Sequence, residues 1–178
     1  IASARGVFSA ASYSLNLALT RAAIDAKSHF VDLGGNNAVV RSQLALDADA
    51  KRSGVTVIPD AGLAPGMAPW LAARLAAKLD HCDSLKLRVG GLPADRPPPL
   101  EYRLVFSVEG LINEYKERGL VVRDGRTVEV EALTGVEPLE FPPPFGVLEC
   151  FNTSGGLSTL PMTLASRVGD MEYKTIRY

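Results

Sequence analysis

Cysteine and histidine are scarce in this chain. Two of each occur in 178 residues: Cys82 and Cys150, His29 and His81. Two distant cysteines are too few for a disulfide framework and too widely spaced for a redox pair, so two buried free thiols in a reducing compartment are expected. Neither histidine belongs to an H-E-x-x-H or a Cys/His cluster, and no metal site is expected. No run of about 18 apolar residues is present, which argues against a transmembrane helix. The opening, Ile1–Gly6, lacks the basic-then-apolar pattern of a signal peptide, so a cytoplasmic location is expected. An excess of one charge is missing too: 19 Lys/Arg face 20 Asp/Glu, net −1. Residues 1–90 carry net +3 and residues 91–178 net −4. Neither half has the basic stripe that nucleic-acid binding needs, and neither a nucleic-acid nor a membrane partner is expected. Also absent are the G-x-x-x-x-G-K-S/T loop, the G-x-S-x-G turn and the G-x-G-x-x-G fingerprint that holds a dinucleotide pyrophosphate.

What is present is a globular composition, 47% hydrophobic with 16 Gly and 12 Pro, ample for a packed core. Up to about residue 80, strand-like and helix-like stretches alternate. Val7–Ala10 is a short apolar run. The spacing predicts a helix over 16–27 with Leu15, Leu19, Ala22 and Ala23 on its apolar face. His29–Leu33 is a second run, stopped by Gly34-Gly35. A helix then extends from an Asn36 or Asn37 cap to Ser53, ending at Gly54. Val55–Ile58 is a third run, halted by Pro59, and Met67, Leu71, Leu75 and Leu79 mark an amphipathic helix. This alternation predicts a parallel α/β sheet.

From about residue 84 the pattern changes. Leu85–Val89 alternates like a half-buried strand, Tyr102–Phe106 reads as another, and a helix follows from Ser107 to about Arg118. Asp124-Gly125 between two apolar runs predicts a hairpin. Pro142–Pro144 reads as a stiff connector and Val147–Phe151 as a strand. An α+β unit with an antiparallel or mixed sheet is expected. The chain opens on Ile1 close to a strand-like segment and closes on the strand-like Tyr173–Tyr178, which reads as an internal piece of a longer protein.

In open α/β sheets, ligands sit beyond the carboxyl ends of the strands. Three such ends here carry unusual residues: 12–16 (Ser-Tyr-Ser-Leu-Asn), 32–36 (Asp-Leu-Gly-Gly-Asn) and 60–66 (Asp-Ala-Gly-Leu-Ala-Pro-Gly). Glycines there allow a close backbone approach to a ligand, or simply make strand–helix turns. Two further clusters follow strands in the second half: Gly90-Gly91-Leu92 and Thr153-Ser154-Gly155-Gly156. The latter suits a carboxylate or phosphate, or a capped turn.

Seven segments in order, SAASYSLNLALTRAAIDA (9–26), HFVDLGGN (29–36), VIPDAGLAPGM (57–67), VGGLP (89–93), FSVEGLINEY (106–115), FNTSGGLSTLP (151–161) and YKTIRY (173–178), together resemble the saccharopine dehydrogenase family, and most its lysine 6-dehydrogenase-type bacterial members. The resemblance implies the late parallel strands of a Rossmann-type sheet in residues 1–64, the end of a dinucleotide-binding domain. It implies an α+β substrate-binding and dimerisation domain with a mixed, largely antiparallel sheet in residues 65–178. A homodimer is implied as well. Family members carry a G-x-G-x-x-G half ahead of the segment seen here, and a further stretch beyond it.

The implied chemistry is hydride transfer between NAD or NADP and the carbon bearing the lysine ε-nitrogen. The amine becomes an imine, and water then releases ammonia. On this resemblance Asp60 holds the ammonium or takes its proton, although the same carboxylate could be a turn cap. Gly62 and Leu63 line the nicotinamide side, and Asn16 with Gly34-Gly35 faces the cofactor. Arg177 matches the arginine of the family's terminal strand and is implied to bind the substrate carboxylate, with Thr153, Ser154 and Gly155 completing that pocket. Gly90, Gly91 and Leu92 match a family turn. Val89 stands where many saccharopine reductases have cysteine, which favours the lysine 6-dehydrogenase type. Asn113 and Tyr115 line the site or simply pack and cap. The substrate is then lysine, with saccharopine or another amine adduct as the alternative. A non-catalytic homologue is the third reading.

Overall fold

The computed structural model describes residues 3–178, in two compact units: residues up to Met67, and Ala68–Tyr178. No helix among the described residues is long and apolar enough to cross a membrane.

The first unit is built on a parallel three-stranded sheet, β1 (Gly6–Ser9), β2 (His29–Asp32) and β3 (Val57–Ile58), in that spatial order. Val7 lies beside Phe30, and Phe30 beside Val57. Phe30 is fully buried at the centre. Between β1 and β2 runs α1 (Tyr13–Asp25). Its buried residues are Asn16, Thr20, Ala23 and Ile24, whereas the apolar pattern pointed to Leu15, Leu19, Ala22 and Ala23. The helix is turned by about one residue, or 100°, and Leu15 is exposed. Hydrogen bonding explains the rotation. Thr20 Oγ1 donates to Asn16 O at 2.8 Å and accepts from Gln43 Nε2 at 2.9 Å, so the buried Thr20 hydroxyl is satisfied on that face.

The single helix expected between β2 and β3 is two: α2 (Asn37–Leu44) and α3 (Asp47–Ser53). Asn36 Oδ1 caps α2, accepting from the amides of Ala38 and Val39. The break follows Leu44, where Leu46 N reaches back only three residues to Gln43 O. Asp47 and Asp49 then fall in the first turn of α3, where carboxylates favour a helix start. Gly54, at φ 68°, ends α3, and Val55 N bonds Ala50 O, so Val55 is withdrawn from the strand and β3 is shorter than expected.

The second unit begins with α4 (Met67–Ala76), whose first residue belongs to the preceding unit. Its expected apolar stripe is not its buried face. Met67, Leu71 and Leu75 are exposed, as is Leu79 beyond the helix, while Pro69 and Ala72 are buried. A six-stranded mixed sheet follows: β4 (Ser84–Val89), β5 (Gly119–Arg123), β6 (Arg126–Val130), β7 (Glu137–Phe141), β8 (Gly146–Asn152) and β9 (Asp170–Arg177). Only β4 runs parallel to its neighbour, β9; the other pairings are antiparallel. Asp124 and Gly125, both with positive φ, form the two-residue turn between β5 and β6. The proline run is the tip of the β7–β8 hairpin rather than a connector, because Phe141 pairs with Gly146 across it. Residues 102–106 make no strand; the chain there crosses over toward α5 (Val108–Lys116), which Ser107 caps by accepting from Gly110 N. A short α6 (Leu160–Leu164) precedes β9. Cys82 and Cys150 are both buried and free.

Strand β9 alternates its side chains between two faces. Met171, Tyr173, Thr175 and Arg177 point one way, and Glu172, Lys174 and Ile176 the other. On the second face Lys174 pairs with Glu137 at 3.0 Å, Glu137 with Arg88 at 2.6 Å, Arg88 with Glu172, and Glu172 with Arg123 at 2.6 Å. Lys174 and Arg88 hold the Glu137 carboxyl down to about 2.

Candidate functional site

In the first unit the turns after β2 and β3 meet at Asp32, the last residue of β2, which is fully buried at 0% exposure. Its Oδ1 accepts from the Gly34 amide at 2.7 Å and from the Asp60 amide at 3.3 Å. Its Oδ2 accepts from Gln43 Nε2 at 2.6 Å, and its carbonyl accepts from Ala61 N at 2.8 Å. One carboxylate therefore ties α2 and two strand-end turns together. Asp60 sits at φ 58°, an uncommon conformation for a residue with a side chain, and the bonds to Asp32 hold its backbone there.

The glycines serve the closeness of these turns. A Cβ on Gly34 would lie 1.7 Å from Asp60 Oδ1, so only glycine leaves room for that carboxylate. A Cβ on Gly62 would meet Leu33 O at 2.8 Å, and one on Gly35 would meet the Tyr13 ring at 3.3 Å. Asn16 is 1% exposed, and its Oδ1 has no donor among the described residues. Leu63 is 54% exposed. The structure thus brings Asp60 and Gly34 into contact, places Gly62 against the neighbouring turn, and sets Asn16 inside the α1–α2 polar layer. Asp32 was passed over as a site residue. Its signal was available: an aspartate two residues before a glycine, at a strand end, can accept that glycine's amide.

In the second unit the centre is Arg177 at the end of β9. Its Nε donates to Tyr115 Oη at 2.9 Å and its Nη1 to Ile176 O at 2.9 Å. Its Nη2 lies 3.9 Å from Glu114 Oε2, beyond hydrogen-bonding range. The guanidinium stands over the Tyr102 ring at 4.6 Å and near the Tyr115 ring at 5.7 Å. Glu114 is braced from below: its Oε1 accepts from Thr175 Oγ1 at 2.6 Å, and Thr175 Oγ1 is 2.7 Å from Thr153 Oγ1. With its one proton directed at Glu114, Thr175 receives the proton of Thr153. Ser154 fastens the same loop to α5, through its amide to Glu114 O and its hydroxyl to Asn113 O. Tyr115 packs edge-on against Phe151. Burial raises the Tyr102 and Tyr115 phenols, against the opposing pull of Arg177, and pushes Tyr173 up to about 12. All three are neutral donors near pH 7.

Tyr115, Thr153, Ser154 and Arg177 therefore come together, with the Asn113 backbone. Leu92 does not: it packs on the Leu148, Cys150 and Ile176 cluster of the opposite sheet face. Gly90 lies against Ile176, where a Cβ would approach within 2.9 Å, and Gly91 lies near Val105. Gly155, at φ 85°, has open space around it. Its neighbour Gly156 is the tighter position, since a Cβ there would enter the Tyr173 ring at 2.3 Å. Glu114 and Tyr102 were missed. Nothing in their spacing separates them from surface helix and loop residues. No group of three or more metal-ligating side chains occurs among the described residues.

A parallel sheet and a separate, largely antiparallel sheet in this order match the fold of a known protein. Residues 62–178 match the Saccharopine dehydrogenase C-terminal domain, and the chain belongs to that family. Among solved structures it is similar to apo, histidine-tagged saccharopine dehydrogenase (L-Glu forming) from Saccharomyces cerevisiae. The TM-score is 0.75 and the identity 23%, over 99% of this chain and 41% of that chain. The likeness establishes the fold, and the chain spans under half the length of that relative. A Bacillus subtilis protein described as an oxidoreductase matches at a TM-score of 0.42 and 10% identity, over 95% of this chain and 45% of that chain, too distant to carry weight.

Proposed function

We propose that this chain is the central part of an NAD- or NADP-dependent oxidoreductase acting on the carbon that bears the ε-nitrogen of lysine, in the manner of a lysine 6-dehydrogenase. The observation that carries the reading is Arg177, a largely buried arginine whose Nη2 lies 3.9 Å from the Glu114 carboxylate, out of hydrogen-bonding range. A guanidinium so placed suits the carboxylate of an amino acid.

Residues 1–64 are then the end of a dinucleotide-binding domain, and residues 65–178 the substrate-binding and dimerisation domain of a cytoplasmic homodimer. Asp60 and Arg177 belong to different units, and each is assigned its part from its own surroundings. The nicotinamide cofactor, when bound, supplies the hydride acceptor or donor. The residues present fit its ring end: the undonated Oδ1 of Asn16 suits a carboxamide N–H, and exposed Leu63 suits a flat apolar face. Gly34, Gly35 and Gly62 act by letting the turns close. Hydride can leave only from a carbon bearing a neutral amine, so the ε-ammonium must first lose a proton. Asp60, oriented by Asp32, is the group proposed to hold the ammonium and take that proton. Arg177, with Tyr115, Thr153, Ser154 and the backbone near Asn113 and Gly155, fixes the amino-acid end, and positioning of this kind supplies much of the rate. Gly90, Gly91 and Leu92 support the strand end beside it.

Family membership favours a second substrate, saccharopine, whose secondary amine occupies the same carbon. Val89 in place of the cysteine of many saccharopine reductases favours lysine. Assaying NAD(P)H formation by the full-length protein with lysine, saccharopine and carboxynorspermidine decides. Turnover of lysine at the highest kcat/KM is the expected result, and no turnover of any of the three with either cofactor would refute the reading.

A further inference from the structure

Tyr102 has a chemistry that the site described so far does not use. Its hydroxyl is buried and has no hydrogen-bond partner among the described residues, and a buried polar group in that state is both costly and rare. No helix or strand holds the residue: it lies in the irregular stretch between β4 and α5. Its ring nevertheless carries the Arg177 guanidinium at 4.6 Å. Arg177, Tyr115 and Glu114 all act electrostatically on Tyr102, but Arg177 has no acceptor to offer and neither Tyr115 nor Glu114 hydrogen-bonds the hydroxyl. What is missing is an acceptor beside a guanidinium, and the ordinary species that meets both demands is a carboxylate.

We propose that Tyr102 is a specificity-determining residue: its hydroxyl and the Nη2 edge of Arg177 together take the carboxylate of an amino-acid substrate. This rests on the reading of Arg177 given above and adds a selection. Amines that lack the carboxylate leave the Tyr102 hydroxyl and the Arg177 donors unpaired inside the protein, and are rejected for that reason. The raised phenol of Tyr102 keeps it a donor across the neutral range.

The test is Tyr102→Phe in the full-length protein, which keeps the ring and its stacking on Arg177 and removes only the oxygen. Thermal melting confirms the fold. Calorimetric titration with lysine, with saccharopine and with 1,5-diaminopentane, which is lysine without its carboxylate, is run beside steady-state kinetics. The expected result is a loss of about tenfold in affinity for the two amino acids, with the diamine and the nicotinamide cofactor unchanged. Unchanged amino-acid affinity, an equal loss for the diamine, or wild-type protein that binds lysine no tighter than the diamine each overturn the proposal, as does the absence of binding of either amino acid. If lysine binds and weakens as expected but is not oxidised, the carboxylate site stands and the lysine oxidation reading falls.

Discussion

Arg88 and Arg177 stand on opposite faces of one sheet, and their surroundings differ in kind. Arg88, in β4 beside Lys174 of β9, directs Nε and Nη2 at Glu137, Nη2 also at Glu172, and Nη1 at Leu87 O. Every edge of it is committed to the protein. Arg177 has one hydrogen bond to a phenol, one to its own backbone neighbour and a carboxylate held at 3.9 Å, with aromatic rings beneath it. Rings hold a guanidinium in place without consuming its N–H groups. The first unit repeats the contrast among its aspartates: Asp32 uses both oxygens on the protein, and one of those bonds fixes the backbone of Asp60. In each pair, one member builds the frame and the other is the one proposed to meet the substrate.

The contrast breaks most visibly if the frame is removed. Arg88→Ala takes one cation from two carboxylates, each of which keeps a second partner, Arg123 for Glu172 and Lys174 for Glu137. A loss of about 3 kcal/mol, the low end for a broken buried pair, is expected by urea denaturation. Lysine kcat/KM per folded molecule should hold. Asp60→Asn in the full-length protein should do the reverse, lowering turnover at least ~100-fold, as for a lost general acid or base, while the melting temperature holds. Near-normal turnover with a lowered melting temperature would make Asp60 a turn residue.

Asp32→Asn sharpens the same division. The amide cannot accept on both sides as the carboxylate does, so about 1–3 kcal/mol of stability should be lost. Turnover should fall with it because Asp60 is no longer held, and denaturation and kinetics on one preparation check both. A structural role alone would leave kcat unchanged. Glu137 gives the smallest effect. Its folded pKa, about 2, lies below the ordinary carboxylate value. The stability it contributes is therefore present above about pH 4.5 and is lost as pH falls toward 2. Glu137→Gln should flatten the melting temperature against pH in that window and leave its slope above pH 5 unchanged.

Much of the fold could be read from residues whose local preference and tertiary role agree. The short apolar runs around Phe30 and Val57, the Asn36 cap, Gly54 and the Asp124-Gly125 turn all do what their chemistry dictates. The misreadings fall where tertiary demands override the pattern. Thr20 and Asn16 displaced the leucines of α1 because Thr20 bonds both the Asn16 carbonyl and Gln43. Leu71 and Leu75 of α4 are exposed because periodicity locates an apolar face without saying what covers it. Tyr102–Phe106 has strand composition but no strand partner. For the candidate site, Arg177 and Thr175 share a face by simple alternation and could be foreseen, and Asp32 carried a local signal in Gly34 two residues on. Glu114 and Tyr102 could not be singled out, because their roles arise from groups up to 75 positions away that only folding brings near.

The measurement that bears most directly on the account is steady-state kinetics of full-length Arg177→Lys, with lysine and the cofactor varied separately and the melting temperature taken on the same preparation. Lysine keeps the charge but loses the planar pair of donors. The expected result is a lysine KM raised roughly tenfold to a hundredfold, from a lost charged hydrogen bond of about 1.5–3 kcal/mol, with the cofactor KM and the melting temperature unmoved. An unchanged lysine KM with a lowered melting temperature would contradict it, and would place Arg177 in the frame beside Arg88.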